Sequence, residues 1–243
     1  LTAVFMQDGR CGVAYADITT GEFAATELDL GDSPAQLRAE LTRLKPAEVL
    51  FPEGIDLPDG LPGRITRHPA WHFENARCEE TLLRHFGVAT LDGYGLRGKS
   101  LAAQAAGVIL QYLKDTRPSS LSLLTSISTY AVSDFMALDA ATRRNLELTE
   151  TLRSGEEKGS LLGVLDHTAT PMGKRLIRQW VSMPLVDVTR INQRLDRVEY
   201  LVQYGLLRAE LHHALRGFAD LERLTNRIKA GHALPRDLVS LRS

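Results

Sequence analysis

The sequence is poor in cysteine, with only Cys11 and Cys78 among its 243 residues. Neither belongs to a C-x-x-C motif or lies beside a histidine, so the sequence supports neither a disulfide framework nor a structural zinc site. No apolar run approaches the roughly 18 to 20 residues that a membrane span requires. The first ten residues also lack the basic start and long apolar run of a signal peptide. These absences predict a cytoplasmic protein with no membrane partner and with both thiols buried.

Neither sign of charge dominates, since the formal net charge is −1 at pH 7. Hydrophobic residues make up 44% and charged residues 24% of the chain, which excludes disordered and fibrous classes and allows a real core. The balance hides an asymmetry. Residues 1–116 carry 11 Lys and Arg against 16 Asp and Glu, whereas residues 117–243 carry 18 against 14. Halves of opposite sign indicate two modules, of which the second suits an anionic partner better.

The two ends of the sequence begin and stop inside patterned segments. There is no initiator Met, residues 1–5 start within a strand-like run, and residues 236–243 stop within a helix-like run. We therefore expect the chain to be a piece of a larger protein.

The first half alternates strand and helix signals, which predicts an α/β sandwich in residues 1–116. Ser33 is a predicted N-cap with Pro34 at the first helical position, and Asn75 is the predicted cap of a second helix. The expected strands are 1–6, 12–17, 22–28, 48–51 and 65–68, and the expected helices are 34–44, 75–86 and 101–115.

The second half becomes helical, and a Pro/Ser-rich break at residues 117–120 separates it from the first. Thr170 and Asp187 are predicted helix caps, and short loops predict an all-α antiparallel bundle in residues 117–243. The helix after Asp187 carries an apolar stripe, expected to face inward, of Ile191, Leu195, Val198 and Val202. The same helix places Arg190, Arg194 and Arg197 on one face, which is either a basic stripe or an ordinary solvated face.

Residues 93–100 match the G-x-x-x-x-G-K-S pattern of a phosphate-binding loop. Lys99 would balance phosphate charge and Ser100 would bind magnesium, which makes a stand-alone P-loop nucleotide hydrolase one alternative function. The preceding residues 88–91 give only a weak strand signal, and the sequence downstream of the loop is predicted to be helical. A P-loop fold instead requires further parallel strands.

A second alternative is a metal-dependent nuclease on a ribonuclease-H-like sheet, with Asp8, Asp17 and Glu22 as metal ligands. Asp17 before Thr-Thr-Gly is equally typical of a turn. The histidines show no metal-ligand spacing, since His212 and His213 are adjacent and His68 and His72 flank Pro69. The sequence thus predicts no catalytic, cofactor-binding or metal-binding residue, and we expect this chain not to be an enzyme.

Five ordered strings resemble the bacterial MutS family of DNA mismatch-recognition proteins. They cover residues 138–148 (LDAATRRNLEL), 159–176 (GSLLGVLDHTATPMGKRL), 194–199 (RLDRVE) and 219–224 (ADLERL), with 46–52 (PAEVLFP) in the first half. Residues 12–23 agree as well, so the resemblance spans essentially the whole chain.

The resemblance implies a fragment made of the family's connector domain, ribonuclease-H-like without its metal site, and the first part of its core or lever domain. The family's mismatch reader carries a Phe-x-Glu motif in a domain that would precede Leu1. Phe51-Pro52-Glu53 fits those letters only by coincidence. The family's ATP and magnesium site would lie beyond Ser243, so no cofactor is expected in this fragment.

The resemblance also implies partners and a role. In the family, the full-length protein is a homodimeric DNA-dependent ATPase that closes around mismatched double-stranded DNA and recruits MutL. The fragment would then be a non-catalytic region that transmits conformational change and docks MutL. The candidate inter-domain junction comprises Asp139, Arg143, Arg144, Asn145 and Glu147. The alternative interpretation of these residues is a helix start with solvated arginines.

Overall fold

The computed structural model describes residues 1–31, 33–58 and 60–242. The chain folds as two compact units, one made of Leu1–Val132 with Asn226–His232 and the other of Ser133–Thr225 with Ala233–Ser243. Within the described ranges, no helix is long and apolar enough to cross a bilayer.

The first unit is built on a mixed sheet. Its strands are β1 (Thr2–Gln7), β2 (Arg10–Asp17), β3 (Glu22–Asp29), β4 (Glu48–Pro52), β5 (Arg64–His68) and β6 (Ser128–Thr129), in the order β5-β4-β1-β2-β3-β6. β1, β2 and β3 form an antiparallel meander, whereas β4 and β5 run parallel to β1, and β6 runs parallel to β3. The five predicted strands are confirmed. β6 was not predicted, because two residues cannot display an alternating pattern.

Helices α1 (Ala35–Leu44), α2 (Asn75–Phe86) and α3 (Ser100–Thr116) cover both faces of this sheet. The side chains of α2 and α3 share one core with the strands, and those of α1 share another core on the opposite face. The α3 side of the sheet carries small residues, so helix and sheet approach closely. At Gly12 a Cβ atom would lie 2.0 Å from the carbonyl oxygen of Leu101, so only glycine fits there. The predicted α/β architecture of this half is confirmed.

Two predicted helix caps are displaced by one residue. α1 starts after Pro34, so Ser33 is not the cap residue, although its hydroxyl accepts a hydrogen bond from the amide of Ala35 at 3.3 Å. α2 starts at Asn75 itself, because the helical turn at Ala70–Phe73 leads directly into it and makes Glu74 the cap. Pattern reading places helix ends no better than this.

The second unit is helical. Its helices are α4 (Ala140–Asn145), α5 (Leu161–Leu165), α6 (Pro171–Ser182), α7 (Val188–Gln203), α8 (Gly205–Leu215), α9 (Leu221–Lys229) and α10 (Pro235–Arg242), with α9 passing into the first unit from Asn226 onward. Two predicted caps are confirmed. The amide of Gly173 donates to Thr170 Oγ1 at 3.0 Å, and the amide of Arg190 donates to Asp187 Oδ1 at 3.1 Å.

The second unit has a small core, formed by Leu138, Leu148, Leu162 and Val181, with Ile177 packed against it. The predicted inward stripe of α7 is not buried, because Leu195, Val198 and Val202 are 56%, 57% and 64% exposed. Helical periodicity identifies the residues that share a face, but it does not supply a partner for that face. The prediction that this stripe of α7 faces inward is therefore wrong for Leu195, Val198 and Val202.

Candidate functional site

The predicted junction begins at the first helix of the second unit, which Asp139 caps. Its carboxylate accepts a hydrogen bond from the amide of Thr142 at 2.6 Å, and this bond lowers the pKa of the carboxyl group. An aspartate at this position satisfies an amide that the helix itself cannot. Asp139 therefore fixes where α4 starts.

Arg143 ties α4 to the end of α6. Its Nε donates to the carbonyl oxygen of Leu138 at 3.2 Å, and its Nη1 donates to that of Ser182 at 2.6 Å. Beside these bonds, the amide of Met136 donates to the carbonyl oxygen of Pro184 at 2.8 Å. Arg143 thus joins its own segment to a carbonyl group 39 residues further along the sequence.

Glu147 organises the loop that follows α4. Its backbone has a φ of +47°, in the left-handed region that a residue with a side chain seldom adopts. Its carboxylate accepts from the amide of Leu152 at 2.6 Å, and its carbonyl accepts from that of Leu161 at 3.0 Å. Arg144 and Asn145 are exposed. The five junction residues thus separate into three with structural bonds and two at the surface.

Two of the strings that resemble MutS meet at α6, since Arg175 of one binds Asp220 of another. Glu157 accepts from Lys174 at 2.8 Å and from Arg178 at 2.7 Å, and these cations lower the pKa of its carboxyl group. Arg175 binds both carboxylate oxygens of Asp220, at 2.6 and 2.8 Å. The cations that pair with Glu157 are about half exposed, so each of those two pairs contributes little free energy, whereas the pair of Arg175 and Asp220 is more buried. Together they hold the loop before α5 and the start of α9 against α6.

The predicted basic stripe of α7 is partly engaged. The guanidinium of Arg194 lies 3.9 Å from the ring centroid of Trp180, and Arg190 lies 3.5 Å from the carboxylate of Asp134. Burial lowers the pKa of Arg194, which stays charged at physiological pH. These contacts favour a structural use for two of the three arginines.

A buried polar cluster in the first unit was not predicted. Glu40, only 5% exposed, accepts from Arg43 Nε at 3.0 Å and from the hydroxyl of Tyr130. The Arg43 guanidinium lies 6.0 Å from the ring centroid of Tyr15 and 5.6 Å from that of Tyr130. Burial raises the pKa of Tyr130 well above its ordinary value. A lone tyrosine 90 residues from its glutamate gives no sequence signal.

This cluster fastens the end of the first unit to its own sheet. The amide of Tyr130 donates to the carbonyl oxygen of Ala25 at 3.3 Å, and Thr26 Oγ1 donates to the carbonyl of Tyr130 at 2.7 Å. Ile127 is buried in the α2 and α3 core, whereas Val132 packs against the core under α1. Residues 127–132, which we call the exit segment, are therefore fixed on both faces of the sheet.

The geometry does not favour a phosphate site at residues 93–100. The amides of Leu101 and Ala102 at the start of α3 donate to Glu27 Oε1, at 2.8 and 3.2 Å. Glu27 also pairs with Arg10, so the protein's own carboxylate already occupies the position that a phosphate would take. The prediction of a thin strand at residues 88–91 is wrong as well, since these residues are irregular, with bends at Ala89 and Leu91.

Only two of the three proposed nuclease carboxylates lie near each other, since Asp17 and Glu22 are paired residues of β2 and β3. Asp8 lies in the turn between β1 and β2, and Asp17 lies at the opposite end of β2, where it accepts from the amide of Thr19 at 2.8 Å. Glu22 accepts from the hydroxyl of Tyr15 at 2.6 Å. Two-metal chemistry requires carboxylates that hold ions about 4 Å apart. The nuclease alternative is therefore not favoured.

His68 and His72, whose spacing in the sequence predicted no metal site, lie together in the structure. His68 Nδ1 and His72 Nδ1 are 3.2 Å apart at the end of β5. The two cysteines are both buried, as predicted, and burial raises the pKa of Cys78 to about 12. The sequence carried no signal for the histidine pair beyond a spacing that Pro69 interrupts.

These observations define a two-unit protein, with an α/β unit on a mixed sheet followed by a helical unit. The family profile for MutS domain II matches residues 1–125, and that for MutS domain III matches residues 141–243. The chain belongs to the MutS family of DNA mismatch repair proteins.

Individual relatives agree with this assignment. The chain is 40% identical over 245 residues to the DNA mismatch repair protein MutS of Dehalococcoides mccartyi, which covers all of this chain and 28% of the relative. It is 41% identical over 286 residues to MutS of a Roseiflexus species, covering all of this chain and 26% of that protein. It is 43% identical over 264 residues to MutS of a Synechococcus species, covering 96% of this chain and 30% of that protein. The chain thus spans less than a third of the length of these curated relatives.

Proposed function

We propose that this chain is the non-catalytic connector and core region of a DNA mismatch-recognition ATPase. Its role is to transmit conformational change between mismatch binding and ATP hydrolysis and to provide a docking surface for MutL. The full-length protein would work in the cytoplasm as a homodimer on mismatched double-stranded DNA, with ATP and magnesium bound outside this chain. The family membership and the match to domains II and III support this proposal.

We also propose that the first unit has the ribonuclease-H-like fold of the connector. Three antiparallel strands followed by two that extend the sheet in parallel from β1, with helices on both faces, support that assignment. The predicted division into residues 1–116 and 117–243 stays a prediction. The exit segment packs with the first unit, which favours a joint after Val132.

The transmission role rests on two hydrogen bonds that the Arg143 side chain donates to backbone carbonyl groups. Coupling between distant sites requires parts that move as rigid bodies and contacts whose free energy differs between two global states. Arg143 makes the start of α4 move with the end of α6, and the exit segment makes Tyr130 move with the sheet. A displacement at one end of either part would therefore reach its other end.

The uncovered apolar faces of α7 and α8 fit a chain that makes further contacts in the full-length protein. Leu195, Val198, Val202 and Leu206 are each more than half exposed. A monomeric domain rarely leaves a contiguous apolar face of this kind in water. We propose that the remainder of the full-length protein covers these faces and completes the helical bundle.

The experiment is to place Arg143→Lys in the full-length protein that contains this chain and to measure ATPase rates with paired and with mismatched duplex. Lysine keeps the charge but cannot reach two carbonyl groups with a rigid fork. We expect mismatch binding and the DNA-free ATPase rate to persist, while the difference between the two duplexes shrinks.

Arg144→Lys is the matched control, because Arg144 neighbours Arg143 but is exposed. It should leave the difference between duplexes unchanged. A full mismatch response in the Arg143→Lys protein, with its fold intact by circular dichroism, would contradict the transmission role.

A further inference from the structure

The histidine pair at the end of β5 lies on a backbone that is fixed from several sides. The carbonyl of His68 accepts from the amide of Glu53 at 2.7 Å, and the amide of His72 donates to the carbonyl of Pro69 at 3.0 Å. The carbonyl of His72 also accepts from Cys78 Sγ at 3.1 Å. Both histidines are half-buried, so their rings remain accessible from solvent. These backbone hydrogen bonds therefore fix the positions from which the two imidazole rings project.

The rings themselves are also held in place. The imidazole of His68 lies edge-on to Tyr112, with centroids 5.3 Å apart, and the hydroxyl of Tyr112 is anchored on Glu48 at 3.0 Å. The ring of His72 contacts Trp71 at a centroid distance of 3.9 Å. The surrounding side chains therefore hold the two Nδ1 atoms in contact with each other.

The two Nδ1 atoms are 3.2 Å apart and share a hydrogen bond, in which the tautomers decide which ring donates. The same separation also suits two nitrogen ligands of one cation, which would displace that proton. Zinc binds imidazole nitrogen at roughly 2.0–2.1 Å, so two such ligands at a tetrahedral angle lie about 3.3 Å apart. At a right angle, as in copper sites, the same bond lengths give about 2.9 Å. The observed distance lies between these two values.

We propose that His68 and His72 form a binding site for a divalent cation of the first transition row, and that zinc is the cation it binds. Two neutral imidazoles are a borderline donor set that suits zinc and copper and discriminates against magnesium and calcium. Each ring binds through Nδ1 and keeps Nε2 protonated, and water fills the remaining positions. The bound ion joins the end of the edge strand β5 to the turn that starts α2.

Two protein ligands set the strength of this site. Among the described residues there is no group of three or more His, Cys, Asp or Glu that could hold a metal ion, so the pair acts without a third side-chain ligand. Affinity therefore comes from the two nitrogens, and loss of either one removes the chelate.

The experiment is a zinc titration of the intact chain in competition with a chromophoric chelator, repeated with His68→Gln and His72→Gln. We expect one equivalent of zinc to bind, and either substitution to weaken binding roughly tenfold or more. His212→Gln is the matched control, because His212 lies on α8 beside another histidine, and it should bind zinc as the parent does. His72→Cys, kept reduced by a non-thiol reductant, should retain binding because a thiolate is also a zinc ligand.

A second readout separates binding from folding. Zinc should raise the melting temperature of the parent chain and of His72→Cys, but not that of His72→Gln, since a ligand that binds only the folded state stabilises it. The proposal is overturned if zinc shows no saturable binding, or if both glutamine variants bind it as tightly as the parent. Binding lost in the His212→Gln control alone would also overturn it.

Discussion

The two units differ in how fully they bury their own apolar side chains. In the first unit, strands and helices share a core on each face of the sheet, and residues such as Leu50, Leu82 and Ile109 have no exposed surface. In the second unit, four buried residues form the core, while apolar side chains along α7 and α8 face solvent. A sheet between helices completes its packing locally, whereas a periodic helix requires a partner that its sequence does not specify.

One ion pair from each unit shows a similar contrast in burial. Glu40 and Arg43 are paired with side chains only 6% and 10% exposed, whereas Arg178 is 44% exposed where it meets Glu157. Removing one member of a buried pair leaves an uncompensated charge, but an exposed partner is simply rehydrated. Substitutions in the two units can test this contrast.

Gly12→Ala should have the largest effect. The added Cβ would lie 2.0 Å from the Leu101 carbonyl oxygen, so α3 must move off β2, and we expect a loss of more than about 4 kcal/mol in the free energy of unfolding. Gly93→Ala is the control, because its Cβ would meet nothing within 4 Å. Chemical denaturation followed by circular dichroism measures both, and equal stability of the two variants would contradict the close packing.

Arg43→Ala should destabilise the first unit by about 3–5 kcal/mol, because it leaves the Glu40 carboxylate buried without its cation. Arg178→Ala removes an exposed pair in the second unit and should cost only about 0–1 kcal/mol. The two arginines are compared by urea denaturation at neutral pH. A loss for Arg178→Ala as large as that for Arg43→Ala would break the distinction between the units.

Leu82→Ala should cost about 2–5 kcal/mol, because it opens a cavity beneath α2. Leu195→Ala, on the exposed stripe of α7, should stay within about 0.5 kcal/mol. Leu82 has no exposed surface, whereas Leu195 is 56% exposed. Thermal unfolding of the two variants tests the difference. A large loss for Leu195→Ala would mean that α7 is packed in solution.

The units should also respond to opposite ends of the pH scale. The pKa of Tyr130 is raised above the ordinary tyrosine value of 10.0. Tyr130 therefore contributes its full stabilisation below pH 10.0, and that contribution is lost as the pH rises above this value. The pKa of Asp220 is lowered, first by the hydrogen bond from Arg175, so its contribution is present above 3.8 and is lost as the pH falls below that value. Tyr130→Phe should reduce the alkaline loss, and Arg175→Gln should reduce the acid loss, in circular dichroism titrations. A variant that titrates like the parent would refute the assignment at that end.

Local patterns in the sequence predicted local structure well. Alternation located five strands, and short polar side chains before apolar runs located the caps at Thr170 and Asp187. The MutS-like strings identified the family. These signals lie within a few residues of what they determine.

Contacts between residues far apart in sequence were not predictable in this way. Glu40 and Tyr130 are 90 residues apart, and β6 is too short to show a period. Gly12 read as an ordinary strand residue, although it is the point where α3 touches the sheet. His68 and His72 are near in sequence, yet only the turn at Pro69 brings their rings together. In each case the fold, and not the pattern, creates the contact.

Hydrogen exchange of the intact chain tests the contrast between the units most directly. We expect the amides of α3, and the amide of Tyr130 that donates to the carbonyl of Ala25, to exchange slowly, because they open only when the first unit unfolds. The amides of α7 and α8 should exchange much faster, because these helices can open locally while breaking few apolar contacts. If α7 is as protected as α3, or if Tyr130 exchanges as fast as a surface loop, the contrast between a self-sufficient α/β unit and an uncovered helical unit is wrong.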